Sequence, residues 1–248
     1  MSEGKFNRKI VTQPHPLSAE IKKLATPEDY LVFAQTRIRE NFDNLAKAKT
    51  EWFTHGLPAE ERAEAICADL AELYTIYLHG GTIGESKYLP NDLPVHNFNH
   101  IALQTVLMSD VATELALMKL HDLPQNAEGN RIFTYSHYVT QLYTSMFHEA
   151  GYLRKAGTTE ANYPGAVLVQ THEERGVEFA ENAHLPWQLS QKGVDIKQLR
   201  YNIMATKMAQ QKPRHFEKLS DLTLADLSHI VDLASYAVAP NYVPHGIT

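Results

Sequence analysis

One cysteine, Cys67, is found among the 248 residues of the chain. A lone thiol can form neither an internal disulfide nor a zinc–thiolate cluster, so any metal here must be held by histidine and carboxylate. No stretch approaches the roughly 18 consecutive apolar residues of a membrane helix. The opening MSEGKFNRKIVTQPHPLS lacks the apolar centre of a secretory signal, so the expected location is cytoplasmic with no membrane partner. Basic charge is also short. With 23 Lys and Arg against 29 Asp and Glu the net charge is −6, which disfavours nonspecific nucleic-acid binding. Strand-like alternation never lasts more than a few residues, and no fixed-period repeat occurs.

The residues that are present, 44% hydrophobic and 21% charged, have the composition of a globular chain able to bury a core. The length fits one such core. We expect a tail over residues 1–25 and a single all-α domain over 26–248, a compact bundle of about seven to nine helices. A homo-oligomer is compatible with this composition.

Helical signals recur along the chain. Thr26 as N-cap, Pro27 and acidic residues in the first turn predict a long helix. A second follows Pro58 and stops at Gly80-Gly81. Residues 80–94, with three glycines and two prolines, read as a loop. A helix is expected from Pro94 to about His121, with Leu103, Leu107, Val111 and Leu115 recurring every four residues. Others are expected from about Phe133 to Lys155, through VLVQTHEERGVEFAENAHL up to Pro186, over DIKQLRYNIMATKMAQ, and over LTLADLSHIVDLASYAV with Thr223 as N-cap.

Candidate chemistry gathers in clusters on these helices. In HNFNH, His96 and His100 stand four apart, a spacing that places side chains on one helix face. They are either a cleft-facing pair or an exposed polar pair. His148-Glu149 interrupts an otherwise apolar segment, LYTSMF before and AGYL after. A buried carboxylate is costly unless paired or bound to a cation, so this dipeptide is either a metal site or a satisfied His–Glu network. In the last helix Asp232 lies among Ile230, Val231, Leu233 and Ala234, with His229 one turn earlier. Asp226 reads as a first-turn or solvated acid. His121-Asp122 stands at a helix end before Leu123-Pro124 and reads as surface.

Taken in order, HNFNHIALQTV, MFHEAGYLRK and HIVDLAS resemble the HD superfamily of metal-dependent phosphohydrolases. They are similar to the H-N-x-x-H, H-D and D-L-S elements of its cyclic-nucleotide phosphodiesterase-like members, and THEERGVEFAENAHLP resembles the segment that follows the H-D element. The resemblance covers about residues 88–240. It implies His100, His148, Glu149 and Asp232 as metal ligands and His96 as the general acid for the leaving oxygen; the departure of Glu149 from the family's Asp leaves open a metal-free mechanism with Glu149 as a catalytic acid-base residue. It also implies His172 as a ligand to a second ion or to phosphate, and Arg175 as a bidentate phosphate partner. Asn97 and Lys155 are further substrate-side candidates, with Tyr88, Phe98, Tyr152 and Arg154 nearby.

The implied reaction is hydrolysis of a nucleotide or another small phosphate ester by metal-activated water. A bound cation brings the pKa of water down towards about 7. Mixed nitrogen and oxygen ligation suits one or two Zn²⁺, Mn²⁺, Fe or Ni²⁺ ions better than Mg²⁺. Two departures from the superfamily pattern stand out: Glu149 occupies the place of its name-giving Asp, and 47 residues lie between His100 and His148. The alternatives are a mixed-valent diiron oxygenase on the same fold, which needs more ligands than are evident, and a degenerate binding protein without turnover. His184 reads as structural or pocket-lining.

Overall fold

The computed structural model describes residues 16–54, 56–118, 133–207 and 223–238. Among them are eight helices: α1 (Pro16–Ile21), α2 (Pro27–Ala48), α3 (Ala59–His79), α4 (Phe98–Leu117), α5 (Tyr135–Phe147), α6 (His172–His184), α7 (Ile196–Ala205) and α8 (Leu224–Val238). A two-stranded hairpin of β1 (Gly81–Ile83) and β2 (Ser86–Tyr88) completes an all-α architecture. Part of the expected tail is structured: α1 falls within it and buries Leu17 and Ile21 in the common core. His121-Asp122 lies outside the described residues.

Helix α2 starts where its signals place it. Thr26 Oγ1 accepts the Asp29 amide at 3.2 Å and Asp29 Oδ2 accepts the Thr26 amide at 2.8 Å, a reciprocal box that satisfies two donors. Its buried face, Tyr30, Ala34, Ile38, Asn41, Phe42 and Leu45, has helical spacing and packs on α3 and α4. Asn41 Nδ2 donates to Ser109 Oγ at 2.9 Å and Asp110 Oδ1 at 2.7 Å, while Arg37 forks onto Asp110 at 2.8 and 3.2 Å. These contacts fix α4 about its own axis.

Helices α4 and α5 are the centre of the bundle. Ile101 through Val106 are buried without a break on α4, as are Tyr138 through Phe147 on α5. A helix apolar all round is one surrounded by others: α4 packs against α2, α5 and α8, and α5 against α7 and α8 as well.

Helix ends differ from expectation where side chains or turns intervene. Helix α4 begins at Phe98, not Pro94, because Asn97 caps it: Oδ1 accepts the His100 amide at 3.3 Å and Nδ2 donates to Pro94 O at 2.7 Å. Helix α5 ends at Phe147, and a 3₁₀ turn over Ala150–Tyr152 follows. That turn is as buried as the helix, so apolar pattern alone could not separate the two. Helix α6 begins only at His172, preceded by a 3₁₀ turn over Gly165–Leu168, with Val167 and Val169 exposed. Residues 80–94 begin with the hairpin. Gly80, at φ 74°, ends α3 with its amide on Ile76 O.

Two glycines set how closely the end of α5 meets α6. A Cβ on Gly151 would lie 1.7 Å from the His172 carbonyl oxygen, and one on Gly176 would lie 2.8 Å from Phe147 O. Only hydrogen fits at these positions.

Candidate metal centre

The first turn of α4, the end of α5 and the middle of α8 meet at one point. His100 comes from the first, His148 and Glu149 from the second, Asp232 from the third, and one ligating atom from each lies within 4.8 Å of the others. His100 Nε2 is 3.3 Å from Glu149 Oε1 and 3.2 Å from Asp232 Oδ1. His148 Nε2 is 3.2 Å from Glu149 Oε1 and 3.5 Å from Asp232 Oδ1. The expected ligands are thus brought together. His229 lies outside the group. Ile230 and Leu233, read as buried surroundings of Asp232, are exposed. Asp226 is the first-turn acid of α8, accepting the Thr223 amide at 2.8 Å and donating its own amide to Thr223 Oγ1 at 3.1 Å.

Outer contacts decide which nitrogen of each ring faces inward. His148 Nδ1 lies 3.0 Å from Ser145 O; a carbonyl only accepts, so Nδ1 carries a proton, and in the neutral ring Nε2 has the lone pair. Ser235 gives its one hydroxyl proton to Asp232 O at 2.7 Å, so its oxygen accepts from His100 Nδ1 at 3.1 Å. His100 Nε2 is therefore the inward lone pair as well. This is the arrangement in which outer partners orient imidazole ligands. Despite the short separations, His100 Nε2, His148 Nε2 and Asp232 Oδ1 make no hydrogen bond, and neither does Glu149 Oε2. Inward lone pairs on the two imidazoles repel the facing oxygens, Glu149 Oε1 and Asp232 Oδ1, unless a cation or protons lie between them.

Protonation follows from that repulsion. Burial opposes charge on His148, but the Glu149 and Asp232 carboxylates outweigh it and raise the group to about 10. His100 is raised in the same sense against its own burial. Burial also works against the charge on Glu149 and Asp232, yet the imidazoles hold both carboxyls below the usual range. His148 stands at the C-terminal end of α5, where the helix favours positive charge.

His96 lies just before the helix that carries His100, so the two are not successive turns of one face; their rings still approach to 6.1 Å. Its Nδ1 donates to Glu149 Oε1 at 2.9 Å, with the Tyr236 hydroxyl 3.3 Å from the same nitrogen. Nε2 is left for a ligand. Side-chain exposure rises from 1% at His148 and 2% at Glu149 to 15% at Asp232 and 32% at His96, so solvent reaches the centre from the His96 side. Tyr152 stacks between His96 at 4.7 Å and His172 at 4.4 Å.

The expected phosphate-holding cations are engaged elsewhere. Arg175 grips both Glu160 oxygens at 2.5 and 2.9 Å and donates to Gly151 O at 2.7 Å and Leu153 O at 2.8 Å, which makes it a brace for the 3₁₀ turn behind Glu149. Lys155 pairs with Glu178, and Arg154 with Asp92 and Tyr163 O. Asn97 is spent as the cap of α4. His172 touches Val169 O and Glu173 rather than the cluster, and His184 Nε2 meets Ser190 Oγ at 2.8 Å. A cavity of about 740 Å³ lined by Leu17, Asn41, Asp110 and Met118, among others, shares no residue with the cluster.

Ser235 and Tyr236 were missed in the sequence, although they lie three and four positions after Asp232, the spacing that keeps helical neighbours on one face. No helix among the described residues is long and apolar enough to cross a membrane. No family model, curated protein or solved structure matches the chain, so any function must be argued from this geometry.

Proposed function

We propose that the protein is a metal-dependent phosphohydrolase or phosphodiesterase of the HD type, acting on a nucleotide or another small phosphate ester. One observation carries the reading: His100 Nε2, His148 Nε2 and Asp232 Oδ1, buried atoms without hydrogen-bond partners, converge with Glu149 Oε1 beside His96, the more exposed side chain whose Nδ1 that same carboxylate holds. His100, His148, Glu149 and Asp232 would hold the ion, and their donor set favours Zn²⁺, Mn²⁺, Fe²⁺ or Ni²⁺ over Mg²⁺. A divalent ion held there supplies activated water near neutral pH and neutralises phosphate charge.

The chain's own residues supply the rest. Glu149 orients His96 through Nδ1, so that Nε2 can pass a proton to a leaving oxygen in the exposed mouth of the site. With Arg175 and Lys155 paired elsewhere, His96 is the side chain of this site that would meet the substrate phosphate. The diiron alternative needs further ligands, and among the described residues His172 and His184 both stand apart from the single four-residue group.

Metal analysis of variants, paired with turnover, tests the assignment. His148→Ala and Asp232→Ala should lose the metal. His96→Ala should keep it while losing about 10²- to 10⁴-fold in turnover of a phosphate ester, the usual range for a general acid. Loss of metal from His96→Ala would overturn this division of roles, and a wild-type protein that takes up no divalent metal would overturn the proposal.

A further inference from the structure

We propose that Tyr236 is a positioning residue that locks His96 to the metal-binding half of the site. It rests on the reading of His96 as proton donor. Three side chains of α8 reach the site: Asp232 in the cluster, Ser235 on His100 Nδ1, and Tyr236 on both His100 and His96. The Tyr236 ring lies flat on His100, centroids 4.3 Å apart and planes 18° apart, so it covers one face of that imidazole. Its hydroxyl reaches 3.3 Å from His96 Nδ1 while its ring meets His96 edge-on at 82°.

His96 needs such a hold because it stands ahead of α4, outside the regular helix, and is the most exposed member of the site. Tyr152 supports one face of its ring. Glu149 Oε1 takes the Nδ1 proton, but that same oxygen lies within 3.3 Å of both imidazole ligands and would be drawn towards an ion. The Tyr236 hydroxyl oxygen, 3.3 Å from Nδ1, is a second acceptor for that proton and keeps hold of it where the carboxylate is drawn away. It keeps the ring from turning about its Cβ–Cγ bond, so that Nε2 stays aimed outward.

The test compares wild type, Tyr236→Phe and Tyr236→Leu, each loaded with Zn²⁺, by zinc content, by ¹⁵N signals of the histidine rings (His96 assigned with His96→Gln), and by hydrolysis of bis(p-nitrophenyl) phosphate. Tyr236→Phe deletes one oxygen and keeps the stack. It should hold zinc as wild type does, shift or broaden the His96 signals alone, and lower kcat about five- to tenfold with KM within about twofold, the scale of one lost hydrogen bond. Tyr236→Leu should in addition release zinc more readily, since His100 loses its cover. Unchanged His96 signals in Tyr236→Phe would overturn the proposal. If wild type fails to hydrolyse this or any phosphate ester, the proposed reaction fails, while the ring signals still decide whether Tyr236 holds His96.

Discussion

On the proposed reading Glu149 serves two partners, the ion and His96. It stands just beyond the C-cap of α5, where the backbone has left the helix, and from there its longer side chain brings Oε1 to 2.9 Å from His96 and 3.2–3.3 Å from the two imidazoles. An aspartate at this backbone position would fall short by more than about 1 Å. Glu149→Asp should therefore weaken metal binding by at least the about tenfold that loss of an outer partner costs. Titration with Zn²⁺ against a competing chelator measures this, and equal or tighter binding would sink the argument. The histidines give a second test. Because His148 is raised from 6.5 to about 10 in the folded chain, its proton stabilises the metal-free protein fully below about pH 6.5, a contribution lost as pH rises through about 10. A metal needs the unprotonated Nε2, so its binding should release protons and strengthen from pH 6 to about 8. Calorimetry in buffers of different ionisation enthalpy reads the release, and a heat independent of buffer would contradict it.

The junction of α5 with α6 is the element-scale device that places Glu149. Gly151 and Gly176 let backbone meet backbone, and Arg175 braces the turn between them. Gly151→Ala would force its Cβ into the His172 carbonyl, which cannot move independently of α6. A loss at or above the about 1–3 kcal/mol typical of overpacking is expected, with weaker metal retention because Glu149 is displaced. Thermal unfolding and metal content together check this; an unchanged melting temperature would show that the junction is looser than described. This junction also shows what could be read from sequence. Helix starts were legible where a cap is local, as at Thr26 and Thr223; the four clustered residues were singled out together by the resemblance, and of them the His148-Glu149 dipeptide also stood out against buried apolar neighbours. The end of α5 was not, because a buried 3₁₀ turn carries the same apolar residues as a buried helix. Arg175 misled because a guanidinium that braces backbone carbonyls has no local mark to distinguish it from one that awaits phosphate.

At the scale of the whole molecule, the centre joins the two enclosed helices α4 and α5 to α8, so an ion bound there would stabilise the fold rather than one corner of it. Metal at 100 times its dissociation constant should raise stability by about 2.7 kcal/mol. Scanning calorimetry should show the main transition moving upward as a unit, whereas an upward shift confined to a separate minor transition would mean that the site belongs to a detachable part. Ser235 meets His100 across 135 positions of chain, and Asp232 enters from the same late helix. Synthesis proceeds from the N-terminus at about 5–20 residues per second. A nascent chain therefore carries His100, His148 and Glu149 for several seconds before α8 can arrive to close the cage. During that interval two imidazoles and one carboxylate lie open on a nascent protein. On the proposed reading a metal would be held fully only once α8 has emerged, because that helix brings Asp232, the anchor of His100 and the tyrosine that faces His96.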